Sequence, residues 1–321
     1  MYVDLDLVGD ALTKLPFARA LRHACPGAEL IWVAGRGESA YAHALAPLMG
    51  ELLDRVIERS GVWRCLSAAL GPGRLDLLID TQSHVGTTLA LRCLRPRRFV
   101  SAAAGYWLSD TRPNRGYRKP RRLVRRLLDL LELATGSAAV PDGAPALPPP
   151  TIDLAARLLP AGPRYVAQAV GAGGREKAWP ADQHIALARA LAAHGSVPVL
   201  ILGPAEHDLL PGFAAALPMA RFPLQQAPGS GPDLTIALAA RCAAAVAGDC
   251  GGGHMLAASG VPMLSLFGPT DPDKFAPWGN RVRVLRAQAW GGAQMERIPV
   301  DAVLGELAHL LVPDGRDPQP A

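Results

Sequence analysis

Gly248-Asp249-Cys250-Gly251-Gly252-Gly253-His254 joins an apolar run, Ala243 to Ala247, to a short helical stretch from about Gly253 to Ser259, after which a second apolar run begins, Val261-Pro-Met-Leu-Ser-Leu-Phe267. A strand that empties into glycines and then a helix start aims unpaired backbone N–H groups, and the positive end of the helix dipole, at one point. Glycines let an anion approach the backbone with no Cβ in the way. Asp249 beside this turn can accept hydrogen bonds from hydroxyls. Phosphate and hydroxyl recognition in one turn suits a sugar attached to a nucleoside diphosphate. The same glycines equally suit a tight corner with no ligand, and a glycine run alone does not decide between the two.

Working outward, strand-like runs alternate with helical ones. Tyr2 to Val8, Leu30 to Ala34, Leu75 to Ile79, Tyr165 to Val170, Val197 to Leu202 and Met263 to Phe267 read as strands, whereas Ala11 to Ala24, Ala181 to Ala193 and Val300 to Leu311 have helical periodicity. The alternation predicts βαβ units and an α/β fold. With 321 residues, half of them hydrophobic, the chain suits two such domains rather than one. The expected division is an N-terminal domain over 1–142, a Pro-rich linker over 143–163 with a short helix inside it, a C-terminal domain over 164–312 and a disordered tail over 313–321. Ligands in doubly wound folds sit at the carboxyl ends of strands, and two such domains are expected to face each other across a cleft.

Composition narrows the function classes. Mean hydropathy is only +0.15, no apolar stretch is long enough to span a bilayer, and Met1 is not followed by a basic, then apolar, leader. Five scattered cysteines, none in a CxxC pair, suit a reducing compartment. A cytoplasmic protein is expected. The charge is unevenly divided: residues 1–150 hold 20 basic and 14 acidic residues, whereas 151–321 hold 13 and 14. Between Arg92 and Arg126 there are 12 basic residues and one acid, Asp110. Such a field attracts an acidic partner. Arg112, Arg115, Arg118 and Lys119, interleaved with Tyr106, Trp107 and Tyr117, form an arm able to grip phosphates or carboxylates; a merely solvated helix face is the alternative. No nucleic-acid-binding motif accompanies the charge, so nucleic acid is not the expected partner. Cys250 and His254 have i, i+4 spacing but no third ligand nearby, and no metal site is expected.

Three further residues fall at strand ends. Asp10 follows the first strand. Its spacing favours a helix cap before Ala11, and a carboxylate there can also serve as a general base toward an alcohol. Pro16 is expected to kink the following helix or start a fresh turn. Lys177 sits in Gly171-Ala-Gly-Gly-Arg-Glu-Lys-Ala-Trp-Pro180, a loop that would bring its ammonium to the same end of the sheet as Asp249, although a lysine in such a loop is usually solvated. Glu206 follows Gly203-Pro204 and reads as a helix N-terminal acid or a ribose contact.

Together these segments resemble glycosyltransferase family 9, the ADP-heptose:lipopolysaccharide heptosyltransferases. Val8-Gly9-Asp10 through Pro16, with Ala20-Leu-Arg-His-Ala-Cys-Pro26, is similar to the family's opening signature. Asp76-Leu-Leu-Ile-Asp80-Thr-Gln82 resembles its D-x-x-I-D-x-Q strand, and Gly171-Ala172 with Lys177-Ala-Trp-Pro180 its K-x-W-P loop. Gly248-Asp249-Cys250-Gly251, His254, Gly260-Val-Pro262 and Phe267-Gly-Pro-Thr-Asp-Pro272 resemble its most specific block. The resemblance implies a GT-B fold, with acceptor on the N-terminal Rossmann-like domain and ADP-sugar on the C-terminal one, and an inverting, metal-independent displacement with no cofactor. It implies Asp10 as general base and Lys177 as the neutraliser of the diphosphate. Asp249 would bind sugar hydroxyls, Cys250, Gly251 and His254 would cradle phosphate, and Glu206 and Gly171 would lie on the nucleotide side. An anionic glycolipid at the inner face of the cytoplasmic membrane would suit the arginine arm, which would also give peripheral membrane contact.

The chain departs from the family pattern in places. Asp4, Asp6 and Leu7 stand where the family usually has a basic residue and a pair of serines. Cys250 stands where Ser or Thr is usual, and Ala172 and Gly173 lack hydroxyls. These departures leave two other readings open: a transferase of the same fold using another nucleotide sugar and acceptor, and a non-catalytic relative that binds nucleotide sugar. A Rossmann dehydrogenase fits poorly because the first strand-turn-helix lacks GxGxxG.

Overall fold

The computed structural model describes residues 1–4, 6–62, 64–140, 144–279 and 281–311. The expected tail over 313–321 lies outside the described residues. The chain divides into two compact units, Met1–Gly143 and Ala144–Ala321.

In the first unit the order is β1 (Tyr2–Val3), α1 (Val8–Ala24), β2 (Ile31–Ala34), β3 (Arg55–Glu58), α2 (Arg64–Leu70), β4 (Leu77–Asp80), α3 (Val85–Arg92), β5 (Arg98–Ser101) and α4 (Leu123–Thr135). Its five strands are parallel in the order β3-β2-β1-β4-β5. The second unit runs α5 (Pro149–Leu158), β6 (Tyr165–Ala169), α6 (Ala181–Ala193), β7 (Val197–Ile201), α7 (Leu210–Ala216), α8 (Pro232–Ala239), β8 (Ala244–Gly248), α9 (Gly251–Ala258), β9 (Met263–Phe267), α10 (Pro272–Phe275), β10 (Val282–Arg286) and α11 (Val300–Leu311). Its strands are parallel in the order β10-β9-β8-β6-β7.

The second sheet is buried on both faces, as a parallel sheet covered by helices must be. Ala245, Ala247 and Met263 pack with Leu234, Leu238 and Leu256 on one face. Val166, Val246, Leu264 and Leu266 pack with Leu187, Leu191 and Leu307 on the other. The small residues of β8 let α8 and α9 lie close over it. Within the Pro-rich segment, α5 starts on Pro149, where a missing N–H does no harm, and Ala155 and Leu159 enter the core of the second unit. Pro198 is tolerated in β7 because that strand is an edge.

Three local expectations change. The first strand is Tyr2–Val3 rather than Tyr2 to Val8, followed by a single bridge from Asp6 to Ser39. Helix α1 begins at Val8, so Asp10 is not the cap. Leu7 holds that position with no side-chain bond, and Asp10 lies in the first helical turn, where its charge complements the dipole. Pro16 neither ends α1 nor restarts it; the helix continues to Ala24, and Leu12 and Leu15 before the proline are buried like Phe17, Ala18 and Leu21 after it, with α1 packed against α4.

Candidate active site

In the second unit β6 has β7 on one side and β8 on the other, so the strand order reverses between β6 and β8. Loops leaving such a switch point diverge and make room for a ligand at the carboxyl ends of the strands. The loop after β6 carries Gly171 and Lys177; the loop after β8 is Asp249-Cys250. They meet: Lys177 Nζ lies 3.1 Å from Asp249 Oδ2. A helical turn at Arg175–Lys177 presents the lysine. The loop is then anchored by Trp179, whose ring is buried and whose Nε1 donates to the Ile298 carbonyl at 3.1 Å. Trp179 also packs edge-on against His184, with 4.9 Å between ring centroids. His184 is fully buried with Nδ1 3.0 Å from Gln168 Oε1, and burial lowers its pKa to about 3.

The glycines of the turn have separate tasks. A Cβ on Gly252 would lie 3.0 Å from the Ala169 Cβ, and one on Gly253 would lie 3.0 Å from the Gly248 carbonyl. Both are therefore required for α9 to start so close to β6 and β8. A Cβ on Gly251 would meet nothing within 4 Å. Gly251 is the first residue of α9, in the turn whose amides lack intrahelical acceptors. Close packing accounts for two of the three glycines, and the third borders open space. Cys250 caps the helix: its Sγ accepts from the Gly253 N–H at 3.4 Å. Burial pushes the thiol pKa up to about 11, against the pull of the Gly253 and Gly252 amides, and the charges of Asp249 and Glu206 add to the rise. The half-buried His254 follows on the first turn, its N–H 3.4 Å from the Cys250 carbonyl.

Glu206 follows β7. Its carboxylate folds back over two glycines: a Cβ on Gly171 would lie 2.6 Å from Oε1, and one on Gly203 2.8 Å from Oε2. Gly171, Lys177, Glu206, Asp249, Cys250, Gly251 and His254 are thus all at the carboxyl ends of β6, β7 and β8. Sequence reasoning missed their support. Met295, fully buried, lies under Gly268, where a Cβ would come within 2.8 Å of its sulfur, and 3.8 Å from a Cβ placed on Gly248. Thr270, in the Gly268-Pro-Thr-Asp-Pro stretch after β9, has a buried Oγ1 without a hydrogen-bond partner.

In the first unit, Asp10 is exposed on the first turn of α1. The start of this helix is fixed by a buried carboxylate, Asp6, which pairs with Lys14 and accepts from Trp32 Nε1 at 2.7 Å and Ser39 Oγ at 3.3 Å. A pocket of about 540 Å³ opens there, lined by Val8, Arg36, Glu38, His43 and Arg59 among others. Asp80 ends β4 beneath the same edge, accepting from Thr88 Oγ1, Ser101 Oγ and the Gln82 N–H. Burial raises its pKa in spite of those bonds. Arg112, Arg115, Arg118 and Lys119 are all exposed and do not line the pocket. Among the described residues no group of three or more His, Cys, Asp or Glu side chains is placed to hold a metal ion, and no helix is long and apolar enough to cross a membrane.

Two doubly wound units, one with a glycine turn faced by a lysine–aspartate pair, are the architecture of GT-B glycosyltransferases. The chain belongs to glycosyltransferase family 9 (heptosyltransferase), whose sequence profile matches residues 63–299. It is 31% identical to lipopolysaccharide heptosyltransferase 2 of Escherichia coli (strain K12) over 115 residues, which is 35% of this chain and 33% of that protein. The match therefore spans about a third of the curated relative's length. Among solved structures, the chain is similar to a family 9 glycosyltransferase from Veillonella parvula (TM-score 0.73, 18% identity, 97% of this chain and 96% of that one). It is also similar to E. coli ADP-heptose lps heptosyltransferase II (TM-score 0.67, 20% identity, 97% and 98% covered). A third likeness is to E. coli heptosyltransferase WaaC, solved with ADP (TM-score 0.70, 20% identity, 96% and 98% covered). These likenesses establish the fold.

Proposed function

We propose that this protein transfers a heptose, or a closely related sugar, from an ADP-sugar to a hydroxyl of an anionic glycolipid of the lipopolysaccharide-core type, with inversion and without a metal or cofactor. The observation that carries this reading is the Lys177–Asp249 pair beside the open first turn of α9. The diphosphate meets the amides of Gly251 and its neighbours, with His254 alongside, and draws the Lys177 ammonium away from Asp249. An ammonium about 4 Å from a phosphate charge contributes up to ~4 kcal/mol at an effective dielectric near 20, which suits a leaving group that gathers charge. Asp249, released from its lysine, accepts hydrogen bonds from sugar hydroxyls. Glu206 accepts from the ribose.

Asp10 takes the proton of the acceptor hydroxyl as its oxygen attacks the anomeric carbon. The bond to the diphosphate breaks on the opposite face and ADP departs, which inverts the configuration. The pocket lined by Val8, Arg36, Glu38, His43 and Arg59 seats the acceptor sugar, with paired basic and acidic side chains to bond its hydroxyls. The likeness to heptosyltransferases supports the donor, and the reaction belongs on the cytoplasmic side of a membrane that presents the acceptor.

The test is release of ADP from ADP-heptose with a lipopolysaccharide-core acceptor, with and without EDTA. Turnover in EDTA is expected, together with a 10²- to 10⁴-fold drop in Asp10→Ala, the range of general base contributions. Turnover undiminished in Asp10→Ala removes the base. Stabilisation by UDP or GDP but not ADP removes the donor.

A further inference from the structure

Every basic side chain lining the pocket at the head of α1 already faces a carboxylate. Arg36 Nε lies 3.5 Å from Asp4 Oδ1 and His43 Nε2 lies 3.1 Å from Glu58 Oε1, while the Arg59 guanidinium pairs with Glu38. Asp6, on the same wall, is held by Lys14. Asp10 adds a carboxylate on the helical turn that Val8 begins. Even with His43 protonated, the five acids named outnumber the four bases.

Backbone holds these pairs in place as well as charge. Glu58 ends β3, and its Oε1 also accepts from the Ser39 N–H at 2.6 Å. Arg59, the next residue, has φ of 49° without being glycine, and its N–H donates to the Gly37 carbonyl at 3.0 Å. A side chain in that region persists only where its surroundings over-determine it. Behind Arg36, Asp4 Oδ1 is buried and makes no hydrogen bond. The Tyr2 hydroxyl is also buried and unbonded; burial, and then the charge of Asp4, push its pKa up to about 12. A carboxylate oxygen can only accept, so the group that completes Asp4 must be a donor.

These features set the chemistry of a ligand. A guanidinium only donates, a carboxylate only accepts, and a sugar hydroxyl does both. Acid–base pairs side by side therefore match a ring that carries several hydroxyls. A carboxylate or phosphate on the ring could only accept. It would compete with Asp4 and Glu38 for arginines that are already neutralised, and it would face an excess of negative charge.

We infer that the accepting sugar is uncharged, and that Asp4 and Glu38 set this preference by repelling a ring that carries a carboxylate or phosphate. The inference rests on the reading of this pocket as the acceptor subsite. The anionic groups of the glycolipid then lie outside the pocket. Asp4 stands where the family usually has a basic residue, so the preference belongs to this chain rather than to the family pattern.

The experiment is saturation-transfer difference NMR on the whole chain, without donor. The probes are the methyl glycosides of glucose, galactose and mannose, the corresponding uronides, and the methyl esters of those uronides. At least one neutral glycoside is expected to bind, with its ester counterpart close to it and its uronide about tenfold weaker or more. In about 0.5 M NaCl that gap is expected to narrow, because the repulsion is screened. Asp4→Asn and Glu38→Gln are each expected to narrow it about fivefold, the scale of one charge across a pocket. Melting temperatures accompany both, and Glu38, 58% exposed, reads the charge even if Asp4→Asn folds poorly. Ala44→Trp, at the exposed rim, is expected to abolish binding. A uronide bound as tightly as its neutral partner overturns the inference, as does a gap that ignores salt and both substitutions. Absence of binding by every glycoside, or binding untouched by Ala44→Trp, overturns it as well. Charge selectivity without sugar transfer from ADP-heptose upholds the inference and counts against the transferase reading. Transfer to a uronide as fast as to its neutral partner does the reverse.

Discussion

Lys177 Nζ and Asp249 Oδ2 stand 3.1 Å apart, although 72 residues separate them. Each satisfies the other, and both are partly accessible, at 28% and 12% of the side chain. A pair this exposed contributes about 1 kcal/mol or less to stability. Lys177→Met and Asp249→Asn are therefore expected to shift urea midpoints little and to lower kcat/KM by two to three orders of magnitude, the scale of lost transition-state charge stabilisation. Stability and steady-state kinetics measured on both variants check this. A variant that lost stability and activity together, through unfolding, would make the pair a structural tie.

Gly251 and Gly252 make a paired test of the turn. Gly252→Ala forces a Cβ to 3.0 Å from that of Ala169 and is expected to destabilise the unit by about 1–3 kcal/mol through overpacking. Gly251→Ala meets nothing within 4 Å and is expected to leave the melting temperature within a degree or two of the parent. Its methyl nevertheless stands where a phosphate would approach, so ADP affinity by calorimetry is expected to fall at least tenfold. Unchanged ADP binding in Gly251→Ala would empty that space of its assigned ligand.

Cys250 caps α9 with sulfur, a weak acceptor. Cys250→Ala is expected to lose on the order of 1 kcal/mol, and Cys250→Ser to match or exceed the parent, because a hydroxyl is the better cap. With its pKa raised to about 11 by burial, the thiol is expected to resist iodoacetamide at pH 8 while the exposed Cys65 and Cys93 react. Peptide mass spectrometry after timed labelling reads the order directly.

His184 supplies a pH dependence. Its pKa falls from 6.5 to about 3 on burial, so between those values the unfolded chain takes up a proton that the native protein does not. Stability is lost as pH drops through that window, by up to about 1.4 kcal/mol per unit. His184→Gln can still donate to Gln168 but does not titrate. Its deficit relative to the parent is expected to shrink by about 2 kcal/mol between pH 7.5 and pH 5, measured by urea unfolding. A deficit constant with pH would mean that the imidazole is not neutral in the native core.

Central strands were legible because burial on both faces makes them unbroken apolar runs, as in Ala243 to Ala247. Of the edge strands, β7 was legible as an apolar run, whereas β3, β5 and β10 were not, because Arg55, Arg98, Arg283 and Arg286 interrupt the pattern. The residues expected on the nucleotide side could be located because each lies in a segment that leaves a strand of one parallel sheet, and position in that sheet then brings them together. Arg36, His43 and Arg59 were not, since the pocket they line is assembled from loops separated in sequence. The same holds for Met295, whose place under Gly268 depends on a tertiary approach with no local pattern. Asp10 was correctly put at the head of the first helix, but its cap was not, because Leu7 occupies that position with nothing to bond.

Glu206 rests across Gly171 and Gly203, and neither position tolerates a side chain while the carboxylate stays where it is. A side chain at either glycine would therefore displace the carboxylate, which is the flexible end of Glu206. A lineage that lost the acid would be free to vary both glycines, and a glycine lost first would evict the acid. Across a collection of homologous sequences, this triplet should drift as a single character.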